Sequence, residues 1–302
     1  MIYHVTHETS YAYSSTVSMS HNIVHLAARS YARQTRLRHD LQVSVSPAVS
    51  AAQTDYFGNL MTFMTVQEPH RRLHLRAVNE VNVHPEPPPA AEHTMPWDTA
   101  RDVLRSERSP EMLDAYEFAF DSPSVRCTPE LADYAAPSFA PGRPLLDSVL
   151  DLTNRIHTEF RYDPNATTTA TPLSEVLELR RGVCQDFAHL EIGCLRSLGL
   201  AARYVSGYLL TSPPPGRPRL IGADASHAWI AVYLPQHGWI EVDPTNNLLP
   251  DDKHIVLAWG RDYDDVSPIK GVILGGGHHS VAVAVNVVPR HGTSYDRNPD
   301  ES

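Results

Sequence analysis

The 302 residues predict an α+β protein: an N-terminal antiparallel β-sandwich, a Pro-rich linker, and a second domain in which a helix packs on an antiparallel sheet. Three observations carry this. Apolar residues alternate with polar ones over the first eighty or so positions, the period of a half-buried strand. The stretch "HPEPPPAAEHTMPWD" then places four prolines between positions 85 and 89, which neither a helix interior nor a central strand accommodates. Beyond it the spacing becomes helical, and alternation returns after residue 200.

Taken in order, "LRHDLQVSVSP" sets Leu41, Val43 and Val45 on one side of a strand, and "MTFMTVQ" and "LHLRAVNEVNVH" repeat the pattern between the turn formers "DYFGN" and "EPHR". Short strands without an intervening helix suggest a sandwich over residues 1–84. The linker is assigned to 85–101 and the second domain to 102–290; the polar tail, 291–302, is expected to be disordered. Within the second domain Leu145, Val149, Leu152 and Ile156 form one helical stripe. A second stripe runs from Cys184 through Phe187, Leu190, Cys194, Leu195 and Leu198 and stops at Gly199, a C-cap residue. "ARYVSGYLL", "HAWIAVYL" and "GWIEVDP" read as strands, and "KGVILGGGHHSVAVAVNVVP" as alternating strands about a Gly-rich turn.

Composition narrows the function classes. A formal charge of −10, with Lys and Arg scattered, opposes a nucleic-acid partner. No run of eighteen apolar residues appears, and "MIYHVTHETSYAY" lacks the basic start and apolar stretch of a signal peptide, so no membrane association is expected. Three cysteines make no disulfide framework, and an odd count fits a reducing cytoplasm.

The cysteines are not equivalent. Cys194 falls on the buried stripe of its helix and Cys127 sits in a Pro-bounded loop, so both read as packing sulfur. Cys184 stands at a helix start, where free backbone N–H groups and the positive end of the dipole favour anionic sulfur. Gly182 just before it permits a tight turn. Downstream, His227 heads one strand and Asp243 ends the next: an imidazole to take a thiol proton and a carboxylate to hold the imidazole's other N–H. With 17 histidines in the chain, such a grouping can also arise by chance. Centring the hairpin on Pro235–Gly238 sets Asp243 opposite Ile230, three residues from His227, roughly 10 Å along the strand and on the opposite face. Contact then requires a bulge or a wider turn, and Asp224 is a rival partner for the imidazole.

"GVCQDFAHL", "RSLGLAARYVSGYL", "SHAWIAVYL" and "GWIEVDPT", in that order over residues 150–250, resemble the transglutaminase-like superfamily of papain-related cysteine enzymes. "YHVTHETSYAYSSTVSMSHNIVHLAAR" and "GRDYDDVSPIKGVILGGG" are similar to the segments that flank this core in bacterial members. The resemblance implies a papain/transglutaminase-like core with Cys184 as nucleophile, His227 as base and Asp243 as orienting acid. It implies acyl transfer on a peptide or carboxamide bond of a peptide or protein substrate, with water (peptidase or amidase) or an amine (transamidase) as acceptor, and no cofactor. A non-catalytic peptide-binding module on the same fold is the alternative.

The Cys184 N–H is expected to help hold an oxyanion, with Gln185 or Tyr162 as candidates for a second donor. Trp229 and Trp239 are expected in the core or as groove walls, and Asp186 as a helix cap. His21 and His25 would share a helical face, but their segment reads as strand and no third ligand is implied, so no metal site is assigned. "GGGHH" lacks the strand–loop–helix setting of a phosphate cradle and reads as a turn. Homo-oligomerisation is left open.

Overall fold

The computed structural model describes residues 1–211 and 225–290. Strands β1 (Ile2–Val24), β2 (Gln34–Val43), β3 (Val49–Thr54), β4 (Leu60–Val66) and β5 (His70–Val83) form an antiparallel sheet in the order β2-β5-β1-β4-β3. Helices α1 (Trp97–Ser106), α2 (Pro110–Tyr116), α3 (Pro129–Ala135) and α4 (Leu145–Glu159) follow. Short β6 (Arg161–Tyr162) and β7 (Arg181–Gly182) pair in parallel around α5 (Leu173–Leu179) and lead into α6 (Cys184–Ser197). Then come β8 (Ala202–Leu209), β9 (Ala225–Leu234), β10 (Gly238–Val242) and β11 (His254–Gly260), an antiparallel sheet in the order β10-β9-β8-β11. The chain closes with α7 (Tyr263–Val266), β12 (Ile269–Gly275) and β13 (His279–Arg290).

The α+β class and the helix-on-sheet core are as the sequence predicts. The stripe Leu145, Val149, Leu152 and Ile156 of α4 is buried with Phe187, Leu190, Cys194 and Leu195 of α6 and with Ile230 and Val232 of β9. α6 ends where expected, at Gly199 with φ +81°.

Three features differ. The N-terminal strands hydrogen-bond as one sheet rather than as a separate two-sheet sandwich, and its inner face is covered by the core's own sheet. Tyr3, Val5, Leu73 and Leu75 pack with Tyr208 of β8 and with Ile255 and Leu257 of β11. The first helix begins at Trp97, inside the stretch expected to be linker. Finally, residues 269–290 do not turn back in the core. They run along β1, Val24 opposite Ile269 and Ile2 opposite Arg290, and their Val285 and Val287 enter the shared apolar core. Gly275–Gly277 make a bulge within this run, with φ of 92°, 85° and 62°, so that pairing resumes at Tyr13–His279. A side chain at Gly275 would meet the Thr16 carbonyl at 2.5 Å. The Gly-rich segment expected to be a turn is therefore a bulge, because a left-handed φ serves a bulge as well as a hairpin. The expected disordered tail lies outside the described residues. No helix among the described residues is long and apolar enough to cross a membrane.

Candidate active site

Cys184 is the first residue of α6, and the turn before it is built by hydrogen bonds. Asp186 Oδ2 accepts from the Val183 N–H (2.8 Å) and from the Thr167 hydroxyl (2.6 Å). This is the cap expected of Asp186, and it fits only because position 182 is glycine: a Cβ there would lie 2.6 Å from Asp186 Oδ2. The first-turn N–H groups have no helical carbonyl before them, so they stand free beside the sulfur. Cys184 is half-buried, whereas Cys194 is wholly buried, its thiol pushed far up by burial. Burial first and then Asp121 raise the Cys127 thiol to about 11.

His227 and Asp243 meet because the hairpin is one residue tighter in register than a turn centred on Pro235–Gly238. Gly238 pairs with Leu234 and Val242 with Ile230, around a loop of Pro235, Gln236 and His237 in which Gln236 and Gly238 have φ of 77° and 75°. Asp243 then falls two residues from His227 instead of three and on the same face. His227 Nε2 lies 2.7 Å from Asp243 Oδ2, leaving Nδ1 for the sulfur. Burial alone would lower the imidazole's pKa, but the hydrogen bonds to Asp243 and to the Cys184 thiol carry it up to about 10. Burial would likewise raise Asp243, yet His227, His254 and Asn246 hold this fully buried carboxylate well below the usual range. Its Oδ1 accepts from the Thr245 and Asn246 N–H groups at 3.0 and 3.1 Å, and its Oδ2 from Asn246 Nδ2 at 2.7 Å. Asp224, the rival acid, lies outside the described residues.

His254 was not anticipated. From β11 its Nε2 reaches Asp243 Oδ2 at 3.1 Å, so one carboxylate serves two buried imidazoles. Nothing local in the sequence announces this, since the contact depends on β11 lying two strands from β9. Asn246 was also missed, though "DPTN" carries a signal for it, an Asx-type turn closing on Asp243. His227, Asp243 and His254 also present ligand atoms within 4.8 Å of one another, a set of the kind that could take up a divalent ion such as zinc. His21 and His25 are not one helical turn apart: His21 lies in β1 and bonds Thr65, while His25, just past its end, bonds the Ser267 carbonyl.

The sulfur opens on a cleft of about 450 Å³. Tyr162 and Gln185 line it, as expected of oxyanion or groove candidates. Tyr162 is brought alongside by the pairing of β6 with β7 and by the Asp163 N–H bond to the Gly182 carbonyl. Trp229 does not line it: of the two places expected of it, it takes the core and not the groove wall. Trp229 is wholly buried, Nε1 donating to Glu241 Oε2 at 2.7 Å, its ring lying over the space left by Gly207. The opposite wall of the cleft comes from the N-terminal sheet: His7, Thr9 and Tyr11 of β1 with Val281 and Val283 of β13. His7 is held at 2.9 Å from the Tyr208 hydroxyl and 2.8 Å from that of Thr9, and burial lowers its pKa to about 4.

Residues 132–244 match the model of the transglutaminase-like superfamily and residues 3–82 that of the bacterial transglutaminase-like N-terminal region. Uncharacterised proteins of Mycobacterium tuberculosis and Mycobacterium bovis are 44% identical over 298 residues, covering 96% of this chain and 93% of theirs. The chain belongs to the transglutaminase-like superfamily. A protein-glutamine gamma-glutamyltransferase of Pseudomonas aeruginosa is 30% identical over 122 residues, 40% of this chain and 18% of that protein. In structure the chain is similar to a cysteine protease candidate of Cytophaga hutchinsonii, with a TM-score of 0.74 over 97% of this chain and 92% of that one at 21% identity, a likeness of fold. Cys184, His227 and Asp243 all lie within the superfamily match.

Proposed function

We propose that this transglutaminase-like protein is a cysteine-nucleophile acyl-transfer enzyme acting on peptide or carboxamide bonds through Cys184, His227 and Asp243. The observation that carries the proposal is the line from Asp243 Oδ2 through the His227 ring to the thiol at the start of α6. His227 Nδ1 takes the Sγ proton and the sulfur attacks the carbonyl carbon. The oxyanion is held by the Cys184 N–H, with the Tyr162 hydroxyl or Gln185 amide as second donor. His227 returns the proton to the leaving amine or ammonia and a thioester remains on Cys184. Water, deprotonated by His227, releases the carboxylic acid and restores the thiol.

Hydrolysis is the favoured outcome because water is always at hand and, among the described residues lining the cleft, no carboxylate stands beside the sulfur to seat an amine. Transfer to an amine is the second reading, favoured by the similarity to the Pseudomonas glutamyltransferase. Incubation with peptide and glutamine-containing libraries, with and without a primary amine, followed by mass spectrometry of Cys184, tests the proposal. An acyl adduct on Cys184, absent in Cys184→Ala, supports it, and the released product distinguishes acid from amide. No adduct and no turnover would make the protein a non-catalytic module.

A further inference from the structure

A second cavity, about 380 Å³, shares no lining residue with the cleft. Its apolar walls are Tyr31, Trp239, Trp259, Pro87, Pro88 and Pro250, and its charged lining is Arg203 of β8 and Arg33 with the carboxylates of Glu86 and Glu241. Arg203 is only 7% exposed. Its guanidinium carbon sits 4.2 Å from the Trp239 ring centroid and 3.7 Å from that of Trp259, so two indoles lie in contact with the cation. Among the described residues it donates no hydrogen bond, and Nε is buried without an acceptor.

The chain treats its other buried arginine differently. Arg196 donates to the carbonyls of Phe118, Ala202 and Arg261 and to Ser122 Oγ. The carboxylate nearest in effect to Arg203, Glu241, is already engaged: Oε1 accepts from the Tyr31 hydroxyl at 2.9 Å and lies 3.6 Å from Arg33, and Oε2 accepts from Trp229. A buried cation with unmet donors is costly unless something supplies acceptors. A guanidinium donates in its own plane, from its edge, a geometry matched by the two in-plane oxygens of a carboxylate. Burial lowers its pKa to about 9, which leaves it charged at neutral pH.

We propose that this cavity binds a carboxylate carried on an apolar or aromatic body, its two oxygens meeting the Arg203 edge and its body lying against Trp239, Trp259 and the prolines. A small organic acid and a peptide's carboxyl terminus share this chemistry. The test follows the indole N–H signals of the four tryptophans in ¹⁵N-labelled Cys184→Ala protein, where chemistry in the cleft is removed. Benzoate, benzamide, acetyl-Ala-Phe and its C-terminal amide are titrated to about 10 mM. Benzoate or acetyl-Ala-Phe should shift Trp239 and Trp259 saturably while Trp97, on α1, stays still, and the uncharged amides should bind at least tenfold more weakly. The stronger of the two acids names the source. Arg203→Met should abolish the shifts and Arg203→Lys, which keeps charge but loses the fork, should weaken them about tenfold. If Arg203→Met does not fold, the acid-against-amide contrast and Arg203→Lys decide. Equal binding of acids and amides, unchanged binding in Arg203→Lys, or no saturable shift of Trp239 and Trp259 by either acid overturns the proposal.

Discussion

Asp243 is the residue on which the candidate site turns, since its Oδ2 is shared by His227, His254 and Asn246. Asp243→Asn should keep the fold but lose orders of magnitude in turnover, ~10²–10⁴, by favouring the wrong imidazole tautomer. Because Asp243 helps raise His227 toward 10, the same variant should move the alkaline limb of the pH–rate profile to lower pH. A limb that stays put would separate Asp243 from the imidazole's titration. His254→Gln should not move the limb to lower pH, because it takes a donor from the carboxylate and leaves its charge to His227, and should cost about tenfold in rate through a less firmly held Asp243. The cysteines supply internal controls. At pH 6 iodoacetamide should label Cys184 well ahead of Cys127 and Cys194, whose thiols burial pushes up. His227→Ala should remove most of that preference, and equal labelling of all three would show Cys184 to be an ordinary accessible thiol. At this scale the sequence was legible for Cys184, His227 and Asp243, which stand at element ends in motifs of characteristic composition. His254 was not, because its role depends on which strands lie beside it, and for Trp229 the sequence left core and groove wall open for the same reason.

At the scale of elements, the hairpin shows how narrow the margin of such readings is. Placing Gly238 opposite Leu234 rather than Pro235 changes the register by one residue and moves Asp243 to the face of His227. The deciding feature, a left-handed Gln236, is one that composition does not single out. Helix α6 carries another hidden term. Glu191 is wholly buried against α4, with Oε1 2.7 Å from the Thr153 hydroxyl, which lies 2.9 Å from the Val149 carbonyl. One hydroxyl proton cannot meet both acceptors, so both contacts are made when Glu191 is protonated and donates to Thr153. Burial raises its pKa to about 8. A carboxyl raised on folding binds more protons in the folded state, so stability is lost as pH rises from the unfolded pKa, about 4.3, through 8. Glu191→Gln, permanently neutral, should therefore melt several degrees above the wild type at pH 8.5 and close to it at pH 5, by calorimetry. Equal melting at both pH values would mean that Glu191 is ionised in the fold.

The whole molecule is held by a pairing that no local pattern announces. The last strands run along the first, 279–290 against 2–13, and together they form the wall of the cleft facing Cys184. Sequence alternation located each of these strands, but alternation carries no information about partners nearly three hundred residues apart, so the N-terminal sheet and the core were read as separate domains. In the structure they share one core, in which Val285 and Val287 are 1% and 0% exposed. Two consequences can be told apart by experiment. Ending the chain after Pro268 would expose the edge of β1 over its whole length and remove both valines, each worth roughly 1.5–3 kcal/mol of burial. The truncated protein should be insoluble or unfolded, although every residue of the candidate triad is retained. Val283, by contrast, is 55% exposed and contributes chiefly to the wall of the cleft. Val283→Lys should leave the melting temperature within a degree or two of the wild type while altering KM for peptide substrates several-fold, with kcat affected less. Were the 1–268 fragment to fold with full activity, the N-terminal sheet and its closing strand would be dispensable to the site. Were Val283→Lys to change neither constant, the cleft wall would not touch the substrate.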